Sequence, residues 1–249
     1  MIRLWHQSVN ELDQVENYRR ALSEHAAKVL PDSVSVEVRG LSTGTYAGLS
    51  PSEALGNAVT YHRCLSQVID LAIEAEKTGF DAFVMGSFSE PFLREMRTAV
   101  DIPVISMTEA ALLTACSLGT YSGLIANYPN VQWMVKSSVD KHRLNARVLE
   151  VACLEPPVDE FEMSAAYDDP TGLVGNFRAA AKRLVAAGAD VIIPAEGVMA
   201  RLITGTGLNR VDGAPVLDVF AIAWAHAMTM VELQRSTGLS VGRAWTYRR

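Results

Sequence analysis

Two stretches of this chain repeat each other. Gly79-Phe80-Asp81-Ala82-Phe83-Val84-Met85-Gly86-Ser87 resembles Gly188-Ala189-Asp190-Val191-Ile192-Ile193-Pro194-Ala195-Glu196, at a constant offset from position 79 to position 188. Each copy has a glycine where a helix should stop, an aspartate, a short apolar run and a turn of small or polar residues. A left-handed glycine is a common helix terminator. A short apolar run bounded by turn residues reads as a buried strand. Downstream, Asp101-Ile102-Pro103-Val104-Ile105-Ser106 resembles Ala214-Pro215-Val216-Leu217-Asp218. A long apolar helix is expected after each, over 109–117 before Gly119 and over 219–236 before Gly238. The chain therefore reads as two similar α/β halves.

The rest of the sequence agrees. Strands are expected at 2–6, 34–38, 82–85, 104–106, 123–126, 148–152, 191–194 and 216–217. Between them lie helical periods. Leu65, Val68, Ile69, Ala72 and Ile73 fall on one helical face, and Gly79 ends that run. Strands alternating with helices imply parallel sheets covered on both faces. The expected fold is α/β, with two pseudo-symmetric Rossmann-like domains and a site in the cleft between them. The expected division is 1–102 plus 214–249 for one domain and 103–213 for the other. The stretch 40–48, rich in Gly, Ser and Thr, reads as a mobile surface loop.

Composition excludes several classes. Apolar residues are 49 % and charged residues 20 %, enough apolar material for a packed core and too little charge for disorder. The net charge of −6 argues against sequence-independent nucleic-acid binding. No uncharged apolar run is long enough for a membrane span. Met1-Ile2-Arg3-Leu4-Trp5-His6 leads straight into a strand pattern, so no signal peptide is expected. Cys64, Cys116 and Cys153 are an odd, scattered set, as in a reduced cytoplasmic protein. Gly205-Thr206-Gly207 follows no strand and lacks a third glycine, and no Walker loop occurs, so no nucleotide cofactor is expected. The five histidines have no zinc spacing, so no metal is expected.

In open parallel sheets, ligands bind beyond the carboxyl ends of the strands. Two facing halves bring two such ends to one cleft. The repeat puts Ser87 at one end and Glu196 at the other. Groups approaching a planar carbon from two sides suit removal and return of a proton. Glu196 starts a short helix, where the dipole favours its charge. Burial in a cleft would act the other way, toward use as a base. His6 and Gln7 close the first strand. Thr108 and Asp218 precede the two long apolar helices and read as N-caps. Tyr61 and His62 are further candidates to face the site.

The order of these segments along nearly the whole chain resembles the aspartate/glutamate/hydantoin racemase superfamily, and most closely its hydantoin-racemase-like branch. The residues that carry the likeness are Gly86-Ser87-Phe88-Ser89-Glu90-Pro91, Asp101-Ile102-Pro103-Val104-Ile105, Glu109-Ala110-Ala111, Leu118-Gly119, 187–194 and Ala214-Pro215-Val216-Leu217-Asp218. The resemblance implies a cofactor-independent enzyme acting by acid–base chemistry on a small carbonyl compound, such as an amino acid or a hydantoin. It also implies two catalytic cysteines, at the positions that Ser87 and Glu196 hold here. A serine lacks useful acidity near neutral pH without an activating base, unlike a thiolate. The expected catalytic set is Glu196, Ser87 and His6. The expected substrate-binding set is Gln7, Phe88, Thr108, Gly197 and Asp218. A homo-oligomer with a small-molecule substrate is expected. The alternatives are a hydrolase or lyase using a Glu- or His-activated water on a cyclic amide or imide, and a non-catalytic binding protein.

Overall fold

The computed structural model describes residues 1–248. The chain begins with β1 (Ile2–Gln7), α1 (Glu16–Val29), β2 (Val34–Arg39), α2 (Pro51–Ala54), α3 (Ala58–Leu65), α4 (Gln67–Lys77), β3 (Ala82–Met85), α5 (Leu93–Ala99), β4 (Val104–Ser106) and α6 (Met107–Cys116). It continues with β5 (Ser122–Ala126), α7 (Pro129–His142), β6 (Val148–Cys153), α8 (Glu160–Ala165), α9 (Thr171–Ala186), β7 (Val191–Pro194) and α10 (Gly197–Gly205). A short hairpin, β8 (Arg210–Val211) and β9 (Ala214–Pro215), precedes the last long helix, α11 (Val219–Thr237). No helix among the described residues is long and apolar enough to cross a membrane.

The α/β class with two parallel sheets is as the sequence implies. The first sheet has the order β2-β1-β3-β4 and the second β6-β5-β7. Val216 bridges in parallel to Ile192 on the free side of β7, and the Leu217 amide donates to the Ile192 carbonyl at 2.9 Å. With that segment as a fourth position, both sheets have the same order. The repeat thus maps β3 onto β7, and β4 onto 216–217.

Sheet membership differs from the division drawn on the sequence. β4, expected in the second domain, pairs with β3 in the first sheet, while Val216, expected in the first, bridges to the second. Each Pro-Val element is the edge of its own half. The helices that follow these elements, α6 and α11, pack against one another. α11 also packs on β1, β3 and β4, burying Phe220, Ala223, Trp224 and Ala227. It is the element that returns to the first half, while the strand before it does not.

The repeated aspartates have one structural job. Asp81 accepts from the Arg3 amide at 2.8 Å, and Asp190 from the Thr120 and Tyr121 amides at 2.8 and 3.0 Å. Each ties the start of a repeated strand to the start of its neighbour. The glycine two residues before each, Gly79 (φ +79°) and Gly188 (φ +108°), is left-handed and closes the preceding helix. The two strands therefore start in register, and their carboxyl ends arrive at equivalent heights.

Three local expectations are corrected. α6 starts at Met107, and its cap is Ser106, which accepts from the Glu109 amide at 3.0 Å; Thr108 lies inside the first turn. The apolar run from Leu65 to Ile73 spans two helices, α3 and α4, with the break at Ser66. The stretch 40–48 is tied down: Glu11 accepts from the Gly44 and Tyr46 amides, each at 2.7 Å, and the Tyr46 hydroxyl donates to the Val9 carbonyl at 2.7 Å.

Candidate active-site cleft

Beyond the ends of β3 and β7 lies a narrow cleft with about 40 Å³ of free volume. Asn10, Ser52, Gly86, Ser87, Phe88 and Ser89 line it from the first half. Glu160, Ala195, Glu196 and Gly197 line it from the second. Of the expected residues, the fold brings Glu196, Ser87, Phe88 and Gly197 together here. Leu55, Ser89 and Met134 also line an adjoining, mostly apolar groove of about 470 Å³, with Tyr61, Trp133 and Lys141. The cleft and the groove share those three residues as walls.

Glu196 caps α10. Its Oε1 accepts from the Val198 amide at 2.9 Å and its Oε2 from the Met199 amide at 2.7 Å. Burial pushes its carboxyl up to about 8, and the neighbouring Glu160 charge adds to the shift, against those backbone donors. A group poised there can both take and give a proton near neutral pH.

Ser87 follows β3 across a glycine that the packing requires. A Cβ on Gly86 would fall 2.3 Å from His6 Nε2. The Ser87 and Ser89 hydroxyls are 3.0 Å apart and hydrogen-bonded, and the Ser89 amide donates to Ser87 Oγ at 3.3 Å. Ser87 therefore has a hydroxyl partner and no base beside it in these contacts. It is suited to donate a hydrogen bond, and poorly suited to act as a free nucleophile.

The remaining expected residues lie elsewhere. His6 sits beneath the cleft floor. Trp224 Nε1 donates to its Nδ1 at 3.2 Å, its ring packs on Phe220, and burial holds its imidazole down to about 3. It stays neutral and is walled from the cleft by the Gly86 backbone. Gln7 is used internally, accepting from Trp5 Nε1 at 2.9 Å and donating to the Ser8 carbonyl at 2.8 Å. Thr108 donates to the Phe88 carbonyl at 3.0 Å, which fixes the cleft loop from behind. Asp218 caps α11 through the Ala221 amide and pairs with His25 at 2.7 Å in a separate polar cleft. Tyr61 reaches the groove and donates to the Ser89 carbonyl at 3.4 Å; His62 is exposed, with its ring against Phe92.

Sequence reasoning missed several lining residues, Glu160 and Asn10 among them. Glu160 is buried on α8, held by the Ser52 amide at 3.0 Å and the Ser52 hydroxyl at 2.7 Å. Burial raises its carboxyl above the usual range, against those hydrogen bonds. It looks like the first-turn acid of a capping box, Asp159 to Glu162, and nothing in the sequence distinguishes it. Asn10 is buried, with its Oδ1 unpartnered. It lies two residues beyond Ser8, in a loop after β1 that carries no motif.

Among the described residues, no group of His, Cys, Asp and Glu is arranged to hold a metal ion. A protein of two pseudo-symmetric parallel α/β halves, with a buried carboxyl where strand ends meet, is thus defined. A family model described as Asp/Glu/Hydantoin racemase matches residues 15–227, and the chain belongs to that family. It is 28 % identical over 171 residues to a hydantoin racemase from a Pseudomonas species, a match that spans 68 % of this chain and 66 % of that relative. Among solved structures, an allantoin racemase from Pseudomonas fluorescens superposes with a TM-score of 0.79 at 20 % identity, covering 99 % of this chain and 96 % of the other. An allantoin racemase from Klebsiella pneumoniae gives 0.77 at 18 % identity, covering 99 % and 93 %.

Proposed function

We propose that this protein is a cofactor-independent racemase-like enzyme that moves a proton on and off a carbon beside a carbonyl, in a hydantoin, an amino acid or a related small acid. The carrying observation is the meeting of Glu196 and Ser87 at equivalent strand ends on one cleft. Glu196, in its ionised form, takes the proton from carbon, and its acid form returns it, with inversion when the planar intermediate turns its other face to Glu196 before the return. Ser87, backed by Ser89, donates to the oxygen where negative charge develops. Such preorganised donation is a large source of transition-state stabilisation. The unpartnered Asn10 Oδ1 accepts from a substrate N–H. These roles replace the paired thiols that the family resemblance implies at positions 87 and 196.

The adjoining groove supports a substrate with an uncharged substituent. Lys141, the cation on its wall, is already ion-paired with Glu90. That leaves little for a side-chain carboxylate to bind.

The test is substrate turnover in deuterated water over a panel of hydantoins and amino acids. Deuterium should enter the substrate carbon with wild-type protein, and Glu196→Gln should suppress that exchange. Oxygen-18 from water appearing in a ring-opened product, with no deuterium at carbon, would replace this reading by hydrolysis. Ligand stabilisation with neither label would replace it by binding alone.

A further inference from the structure

We propose that Glu160 and Glu196 act as one unit that carries a single proton in the resting protein near neutral pH, with Glu160 as the positioning residue that favours the acid form of Glu196 over the ionised form that serves as base. Both carboxyls line the same cleft of about 40 Å³ and both are buried. Among the described residues, no Lys, Arg or His lines that cleft. Two ionised carboxylates in so small a space, with no cation, cannot both persist, and one proton relieves the repulsion.

Both carboxyls accept hydrogen bonds, and in these contacts Glu160 alone accepts one from a hydroxyl. Glu160 accepts from the Ser52 amide and the Ser52 hydroxyl, one on each oxygen. That hydroxyl in turn accepts from Asn127 Nδ2 at 3.0 Å, so its own proton is free to point at Glu160. A carboxylate held by a directed hydroxyl and an amide favours the ionised form. Glu196 has amide donors at the start of α10, with the Glu160 charge beside it. The proton therefore resides mainly on Glu196.

The other ionisable groups nearby do not supply the missing charge. Tyr18 on α1 and Tyr167 after α8 face Glu196, and burial keeps both phenols neutral. Tyr46 faces Glu160 and is likewise held neutral. Asp159 adds further negative charge beside Glu160. Arg201, on α10 itself, donates to Thr204 at 2.9 Å and lines the separate cleft with His25 and Asp218.

Coupled groups titrate as a pair, and removing the member that ionises first shifts the other. The experiment follows carboxyl titration by carbon-13 NMR in protein labelled at the glutamate side-chain carboxyl, without substrate. In wild type, one buried carboxyl should titrate at about 8. Glu160→Gln keeps size and hydrogen bonding with Ser52, and should lower that midpoint by about one pH unit or more, the scale of a close like charge. Glu160→Asp should restore it in part. Glu196→Gln is the reciprocal arm: it should abolish the titration at about 8 and leave that of Glu160 in place, since protonated Glu196 and Gln are both neutral while Glu160 titrates. An unmoved midpoint in folded Glu160→Gln, or a titration at about 8 that persists in folded Glu196→Gln, would overturn the pair. The catalytic consequence rests on the proposed role of Glu196: Glu160→Gln should shift the pH profile of kcat/KM to lower pH by the same amount. A pair seen by NMR in a protein without turnover would sink the proposed function and leave the pair standing.

Discussion

Two carboxyls just past the ends of equivalent strands behave in opposite ways. Glu90 follows β3 and Glu196 follows β7, and both are buried. Burial alone would raise both. Around Glu90 the fold supplies a lysine, an imidazole and a hydroxyl: Lys141 forms an ion pair, His142 Nε2 lies 2.8 Å away, and the Ser106 hydroxyl donates to it. These outweigh burial and hold its carboxyl below the usual range. Around Glu196 there are backbone amides and a second acid, and its carboxyl rises to about 8. α7 carries Lys141 and His142 to the first strand end, while no lining cation reaches the second. One end of the repeat became a locked structural network, and the other a group able to exchange a proton.

The sharpest way to break this contrast is kinetic. Glu196→Gln should lower the catalytic rate about 10²–10⁴-fold, the usual contribution of a general acid–base group, and change ligand affinity little. Ser87→Ala should cost about tenfold, as for one lost neutral hydrogen bond. Rate and binding constants on one substrate would decide. A larger loss from Ser87→Ala than from Glu196→Gln would reverse the assignment of the two ends.

Stability against pH should separate the two acids next. Glu196 binds its proton more tightly folded than unfolded. Its contribution is thus complete below the ordinary glutamate value of 4.5 and is lost as pH rises to about 8. Glu90 has the opposite sign: its contribution is present above 4.5 and is lost as pH falls through its lowered folded value. Urea unfolding across pH should show Glu196→Gln flattening the slope between 4.5 and about 8 and Glu90→Gln flattening the one below 4.5. Matching slopes in the two variants would end the contrast.

The glycines beside the two ends differ in a similar way. A Cβ on Gly86 would meet His6 at 2.3 Å, whereas on Gly197 the nearest atom is the Tyr18 hydroxyl at 3.1 Å. Gly86→Ala should destabilise by about 1–3 kcal/mol, the cost of overpacking, and Gly197→Ala by less. Thermal unfolding of both proteins checks this. The smallest effect expected is from thiol alkylation, which should leave turnover intact. None of Cys64, Cys116 and Cys153 lines the cleft, and burial raises the thiols of Cys64 and Cys153. Loss of activity on alkylation of the folded protein would show that a thiol takes part.

The repeated Gly-x-Asp-strand unit was readable because both halves make the same demand at the same spacing. A left-handed glycine and an aspartate tying two strand starts demand those residue types at that spacing. The apolar runs followed from burial on both sheet faces, and the cap at Asp218 from helix-end chemistry. The juxtaposition of Ser87 and Glu196 followed from the repeat and its implied two-fold arrangement. Other features depended on neighbours distant in sequence. His6 looked like a site residue because it nearly ends a strand, and Trp224, contributed by α11, buried it instead. Thr108 looked like a cap, and Ser106 took that place because α6 begins directly at the end of β4. Glu160 gave no sign in the sequence, since an acid in a first helical turn is ordinary. Its proximity to Glu196, and the absence of a cation between them, are properties of how α8 and α10 pack. A side chain's local conformation is written in its near neighbours. Its charge state is set by everything that surrounds it, and that was decided by the tertiary structure.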